Sequence, residues 1–271
     1  MAVTRRTVLK ALLATGVGTV SGAAAYGYAY GRHDLEVTHT NVPVAGLPSA
    51  LAGLRIGLMT DIHRSQLVSH NDVARAASAM MNEHPDLIVL GGDYVTWGDR
   101  RYVAPSAAAL ASLTAPHGVF GILGNHDDDH DMPIALTRSG VHMLKDARTR
   151  LAIRGENVDL VGIRYWTKRQ SDIAALVRGA APATILLAHD PRRLTEAAAL
   201  DVPLVLAGHT HGGQVVLPLV GAVAAQKFPV IYGLARRGKT TMFVSRGVGT
   251  IYVPVRINCP PEVAILTLQP A

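Results

Sequence analysis

The chain has 271 residues, 49% hydrophobic, 17% charged and 5% aromatic, with a formal net charge of +6. That composition excludes a disordered chain and a coiled coil, and leaves ample apolar material for one large domain or two small ones. Arg5, Arg6 and Lys10 carry half of the excess positive charge, so the rest is too weakly basic to favour nucleic acid as a partner, and the single cysteine, Cys259, excludes an intrachain disulfide.

Residues 4–10 read TRRTVLK, and a soft apolar stretch rich in Ala, Gly and Thr follows to Tyr30. Positive charge, an apolar segment and small residues at 23–25 (AAA) make a secretory signal. The paired arginines resemble the twin-arginine export motif. About 20 apolar residues also suffice to span a bilayer, so an uncleaved anchor fits the same stretch. The expectation is a twin-arginine signal peptide or membrane anchor over residues 1–30, served by the twin-arginine translocase. The folded body, residues 34–271, is then expected in the periplasm, in the cell wall or on the outer face of the cytoplasmic membrane, with membrane association possible.

From Leu35 to Leu51 the pattern reads as an entry strand and a Pro/Gly-containing connection. Strand-length apolar runs follow at Leu54–Met59, Leu87–Leu90, Val119–Leu123, Val158–Val161, Thr184–Leu187 and Leu204–Leu206. Helices are predicted over Asn71–His84, capped at Asn71 and stopped before Pro85, and over Pro105–Leu113, Ser171–Arg178 and Arg192–Leu200. This alternation predicts an α/β domain with helices covering sheet faces. From Val215 to Leu268 the runs are shorter and helix signals few, as if a second sheet were being completed.

In open α/β sheets, ligands bind beyond the carboxyl ends of the strands. After the first run come Thr60, Asp61, Ile62 and His63. Gly91-Gly92-Asp93 follows the second, Gly124-Asn125-His126-Asp127 the third, His189-Asp190 the fifth and Gly208-His209-Thr210-His211 the sixth. Taken singly, Asp61-x-His63 suits a capped turn, Gly91-Gly92-Asp93 a tight turn, Asn125-His126-Asp127 a helix cap and His189 a satisfied core histidine. Five of the six strand ends, in chain order, carry Asp, His or Asn, and they are instead read as one site. Imidazole, carboxylate and amide oxygen without thiolate suit two divalent ions such as Mn²⁺, Fe or Zn²⁺. On an extended segment, Asp61 and His63, and likewise His209 and His211, would share one side because side chains alternate. Two metals about 3.5–4 Å apart clamp the attacking and leaving oxygens of a phosphoryl transfer and activate a water.

The set D61-x-H63, GGD at 91–93, GNHD at 124–127, His189 and GHTH at 208–211 resembles the calcineurin-like metallophosphoesterase superfamily, in block order, over roughly residues 54–215. GHTHGGQ at 208–214, SRGVGT at 245–250 and PVRINCPPE at 254–262 resemble its branch of exported, twin-arginine-dependent phosphodiesterases related to UDP-2,3-diacylglucosamine hydrolases. The resemblance implies a four-layer α-β-β-α sandwich of two mixed sheets flanked by helices. It implies that Asp61, His63 and His211 hold one metal, that Asn125, His189 and His209 hold the other, and that Asp93 bridges. It implies His126 as the group that stabilises phosphoryl charge or protonates the leaving oxygen, with Asp127 orienting it. The activity implied is hydrolysis of an envelope phosphate ester, lipid-linked substrates included, with a diester favoured; a phosphomonoesterase or a UDP-2,3-diacylglucosamine pyrophosphohydrolase-like lipid enzyme is the alternative.

Other residues stay open at this level. Arg164, Tyr165 and Trp166 replace acidic residues of that branch. The acidic run Asp127–Asp131 reads as a solvated helix start or as a rim that repels polyanions. Tyr94 and Trp97 suit either the site entrance or the core, Cys259 a buried small hydrophobe, and Arg246 either a phosphate contact or an ordinary ion pair.

Overall fold

The computed structural model describes the backbone of residues 5–271 and the side chains of residues 14–271. The side chains of Arg5, Arg6 and Lys10, which carry the twin-arginine expectation, lie outside the described residues. In chain order the elements are α1 (Arg5–Ala29), β1 (Glu36–Val44), β2 (Arg55–Met59), α2 (His70–Asn82), β3 (Leu87–Leu90), α3 (Val103–Leu110), β4 (Val119–Gly121), α4 (Asp131–Arg138) and β5 (His142–Met143). There follow β6 (Ala147–Ile153), β7 (Glu156–Gly162), α5 (Gln170–Val177), β8 (Ala183–Leu187), α6 (Leu194–Ala199), β9 (Leu204–Ala207), β10 (Val216–Leu217), β11 (Gly221–Ala222), β12 (Gly233–Arg237), β13 (Thr240–Val244) and β14 (Glu262–Pro270). Among the described residues no helix is long and apolar enough to cross a membrane.

Two six-stranded mixed sheets form the centre, in the orders β1-β14-β2-β3-β4-β5 and β12-β13-β9-β8-β7-β6. Strand periodicity explains the layering, because alternate residues serve opposite faces. Ile56, Leu58, Leu87 and Val89 of the first sheet meet Ile185, Leu187, Leu204 and Leu206 of the second in one core between the sheets. Their neighbours Met59, Ile88 and Leu90 face outward onto Val73, Ala76, Ala77 and Met80 of α2 and onto α3 and α4. Leu186, Val205 and Ala207 face outward onto Ile173 of α5 and Leu194 of α6. Each of these strands is apolar on both faces because each is covered twice. The result is the α-β-β-α sandwich.

The differences from the sequence expectations are local. The cap of α2 is Ser69, not Asn71. The Ser69 hydroxyl accepts the Asp72 N–H at 3.1 Å, and the Asp72 carboxylate accepts the Ser69 N–H at 3.0 Å, a capping box that outcompetes a bare Asn start. The predicted fourth helix divides into a short 3-10 turn at Pro191–Arg193 and α6. Strands β5 and β6 and helix α4 carried too little periodicity to be predicted; α4 does begin at the acidic run. The last third completes both sheets: β12 and β13 join the second, while β14 returns to the first, parallel to β1 and antiparallel to β2.

Candidate metal centre

All five sequence-marked loops converge at the carboxyl ends of β2, β3, β4, β8 and β9. Hydrogen bonds beyond the strand ends lock the first two together: Asp61 N–H donates to Gly92 O and His63 N–H to Asp93 O, each at 2.9 Å. The ligand segments are not extended. Asp61 (φ 52°), His63 (49°), Asp93 (58°), His209 (73°) and His211 (53°) are all left-handed. Simple alternation therefore does not bring Asp61 and His63, or His209 and His211, to one side; the left-handed turn does. Such backbone is costly for residues with a Cβ and persists only where surrounding contacts impose it. Gly208 and Gly124 are among those contacts. A methyl on Gly208 would overlap the Asp61 carboxylate and Thr60 Oγ1, and one on Gly124 would overlap the Asp93 carboxylate and amide. Because neither has a side chain, the His209 N–H reaches both Asp61 oxygens, at 3.0 and 2.9 Å, and the His126 N–H reaches Asp93 Oδ1 at 2.8 Å.

Two groups that could hold a metal ion result: Asp61, His63 and His211, and Asp93, His189 and His209, with one N or O atom from each residue lying within 4.8 Å of the others in its group. Asp93 stands between them. Its Oδ2 is 3.5 Å from His63 Nε2 and 3.1 Å from His189 Nε2. His211 Nε2 lies 3.3 Å from Asp61 Oδ1 and 3.1 Å from His63 Nε2. Asn125 lines the same cavity, of about 330 Å³, with Asp93, His126, His209 and His211. The walls beyond the ligands are mostly apolar: Tyr165, Ala224, Ala225, Phe228, Ile251 and Tyr252, with Lys227 the one basic side chain besides histidine.

Burial dominates the electrostatics. It drives His63 down to about 4, against the pull of Asp93, and it pushes His209 and His211 well below the usual imidazole range. These three rings are neutral, the state a metal ligand requires. At His189 burial is outweighed by Asp93 and Asp61, and the ring is raised to about 10. Burial also raises Asp61, while the surrounding imidazoles overcome burial at Asp93 and hold it far below the carboxylate range.

The residues fit two cations. Asn125 Oδ1 and His189 Nε2 are buried without a hydrogen-bond partner, a costly state for polar atoms that a bound cation would relieve. His189 Nδ1 donates to Gly91 O at 2.8 Å, and His63 Nδ1 sits 3.2 Å from Thr96 Oγ1. Each bond commits the outer nitrogen and turns Nε2 inward, as partners of metal-binding imidazoles do. Thr96 was not singled out in the sequence, because nothing in its local pattern marks it.

His126 and Asp127 sit differently from one another. The His126 ring lines the cavity, and its Nδ1 accepts the Trp97 N–H at 3.3 Å. That bond leaves the ring proton on Nε2. Asp127 does not reach the His126 ring. Its carboxylate accepts the N–H groups of Asp93 at 2.8 Å, Tyr94 at 2.7 Å, Val95 at 3.3 Å and Gly124 at 2.8 Å. Asp127 therefore clamps the β3 loop to the β4 loop instead of orienting the imidazole directly. Burial and Asp93 raise its pKa, and the amide bonds oppose the rise.

The open residues resolve as follows. Tyr94 is fully buried core, whereas Trp97 is 67% exposed and packs edge-on against His126 at 4.5 Å between ring centres. Tyr165, from the loop that departs from the branch pattern, lies 5.3 Å from the His209 ring. Arg246 is ion-paired with Glu36 and Glu262, and Cys259 is buried. Arg256 is a further residue that the sequence did not single out. Its fully buried guanidinium bonds to the carbonyls of Arg246, Gly247, Gly249 and Cys259, tying the two C-terminal loops together behind His211.

Residues 54–213 match the family described as Calcineurin-like phosphoesterase. The chain is 27% identical over 281 residues to the uncharacterized metallophosphoesterase YkuE of Bacillus subtilis (strain 168), covering 98% of this chain and 97% of that one. It is 31% identical over 280 residues to phosphodiesterase YaeI of Escherichia coli (strain K12), covering 98% and 99%. Among solved structures it is similar in fold to Haemophilus influenzae NAD nucleotidase, with a TM-score of 0.52 at 14% identity, over 72% of this chain and 45% of that larger one.

Proposed function

The chain belongs to the calcineurin-like phosphoesterase family, and we propose that within it the protein is a phosphodiesterase acting on a phosphate ester of the cell envelope. The observation that carries the reading is the position of Asp93, one carboxylate oxygen of which faces His63 on one side and His189 on the other. Asp61, His63 and His211 would hold one metal, Asn125, His189 and His209 the second, and Asp93 both. When bound, such a pair clamps the attacking and leaving oxygens of a phosphoryl transfer and makes a water acidic enough to attack near neutral pH.

The chain's own residues supply the rest. His126 presents its Nε2–H to the cavity, where it can donate a hydrogen bond to a phosphoryl or leaving oxygen. The Trp97 amide fixes that tautomer. Asp127 holds the loops that position Asp93 and His126. A diester is favoured because the cavity is walled by Tyr165, Phe228, Ile251 and Tyr252, which suit an uncharged substituent on the phosphate. The name of the Escherichia coli relative supports the same class. The envelope assignment is supported by TRRTVLK at the amino terminus and by the branch-like strings at 208–214, 245–250 and 254–262. Residues 1–30 would then be the export signal or anchor.

The test compares hydrolysis of bis-p-nitrophenyl phosphate and p-nitrophenyl phosphate by full-length protein, stripped of metal and re-supplied with Mn²⁺, with Asp93→Asn as control. Metal-dependent release from the diester, lost in the control, is expected. Release from the monoester alone would move the activity to a phosphatase.

A further inference from the structure

The segment after His211 forms a short hairpin. Val216–Leu217 pair antiparallel with Gly221–Ala222, and Pro218, Leu219 and Val220 make the tip. Leu219 is fully exposed, Val220 is 66% exposed, and Leu217 and Val223 flank them, also exposed. Leu219 has φ 65°. A turn required only to reverse the chain would carry Gly or Asn at that angle; here a bulky apolar side chain is held outward at a conformational cost. Beside the hairpin, Tyr252 and Val253 are 76% and 58% exposed. Gln214, at the base of the hairpin, donates to Ile251 O and Val253 O, and exposed large apolar side chains on two turns tied together in this way mark an interaction surface.

We propose that the hairpin tip and the Tyr252–Val253 turn dock on a lipid bilayer, placing the mouth of the metal cleft at the membrane surface. Three observations select a bilayer as the occupant. First, the hairpin is the lip of the cleft: Gln214 before it and Ala224, Ala225, Lys227 and Phe228 after it line the cavity, as does Tyr252. Second, the same face receives the end of α1. Arg256 N–H donates to Gly27 O at 3.2 Å, while Ile257 bonds through its amide to Gln214 O at 3.0 Å and through its carbonyl to the Val216 amide at 2.9 Å. The apolar amino-terminal helix therefore leaves the domain beside the hairpin, and Tyr26, Tyr28 and Tyr30 at its end are exposed, as aromatic residues at a membrane interface are. Third, the charge is complementary to anionic headgroups. Residues 1–33, 215–231 and 247–261 contain no Asp or Glu, while Arg32 and Lys227 supply positive charge. The cleft's role at that surface rests on the phosphodiesterase reading; the docking is tested apart from it.

Full-length protein is mixed with phosphatidylcholine vesicles with and without phosphatidylglycerol and separated by flotation. Wild type is expected to float, more strongly with phosphatidylglycerol. Leu219→Asp/Val220→Asp is expected to lose binding by at least about tenfold, given the apolar surface it removes from the contact. Hydrolysis of soluble bis-p-nitrophenyl phosphate should be unchanged in that variant, because neither residue lines the cleft. Leu219→Trp should show a blue-shifted emission on adding vesicles, after subtraction of the wild-type signal. Equal flotation of wild type and double variant, or an unshifted Leu219→Trp emission because α1 alone holds the protein, overturns the proposal. So does a wild-type dimer that the double substitution dissociates without any vesicle binding, since the occupant would then be a second copy. Failure of wild type to hydrolyse the soluble diester strikes the phosphodiesterase reading and leaves the flotation result to decide the docking.

Discussion

His63 and His211 point their Nε2 atoms at each other across 3.1 Å in the buried floor of the cleft. Both rings are kept neutral by burial, so the pair shares at most one proton where a cation would take two lone pairs. Mn²⁺ added to chelator-treated protein should raise the melting temperature. At a hundredfold excess over Kd the gain is about 2.7 kcal/mol. His211→Ala should retain about one equivalent of metal by elemental analysis where wild type binds about two. An unchanged content in the variant would remove His211 from the ligand set.

His189 predicts the pH dependence of metal uptake. Burial lowers its pKa, but Asp93 and Asp61 outweigh burial and raise it to about 10, so without a cation the ring is protonated at neutral pH. Binding must expel that proton. Affinity for Mn²⁺ should therefore rise with pH by about tenfold per unit while the free ring stays protonated. Calorimetry in buffers of different ionisation enthalpy should detect the released proton; a pH-independent affinity would contradict the assignment.

His126 and Asp127 should separate by experiment although they are neighbours. His126→Ala should keep both metals and its stability and lose about 10²–10⁴-fold in turnover. Asp127→Asn replaces an acceptor of four backbone N–H groups with an amide that turns donors toward donors. It should cost about 2 kcal/mol or more in urea unfolding. Unchanged stability with reduced turnover would instead restore Asp127 as a partner of His126 alone.

The Arg256 guanidinium donates to backbone carbonyls in its buried pocket, with the Cys259 sulfur a further, longer contact at 3.9 Å. Arg256→Met fills the volume but leaves several of those carbonyls unpaired, so a loss of about 3 kcal/mol or more is expected. Thermal unfolding measures it, and a variant as stable as wild type would show that the carbonyls find other donors.

Trp97 lies at the lip of the cleft, packed on His126 and, at 5.4 Å, on Tyr252. Trp97→Ala should raise KM for a bulky diester more than for a small one. Equal effects on both would mean that the indole only supports the His126 ring.

Much of the fold could be read locally. Leu87–Leu90 is apolar throughout because β3 is covered on both faces, and continuous apolar runs are what doubly covered strands require. The residues of the candidate site were legible because each follows such a run. The placement of β14 was not legible, since its partners β1 and β2 lie more than 200 residues away and no local period encodes that pairing. The role of Asp127 was misjudged for a related reason: its neighbour in sequence is His126, but three of the four amides it binds belong to Asp93, Tyr94 and Val95 on another loop.

Residue types and their order along the chain marked which strand ends carry candidate ligands and which chemistry they suit. Tertiary structure decided which atoms face one another. The ligands turn inward through left-handed backbone at Asp61, His63, Asp93, His209 and His211, held by amides from distant loops that approach only because Gly124 and Gly208 lack a side chain. Conformations sustained by long-range contact leave no periodic signature, so Asp93's place between two imidazoles, and the common face shared by the hairpin and the end of α1, exist only once the chain is folded.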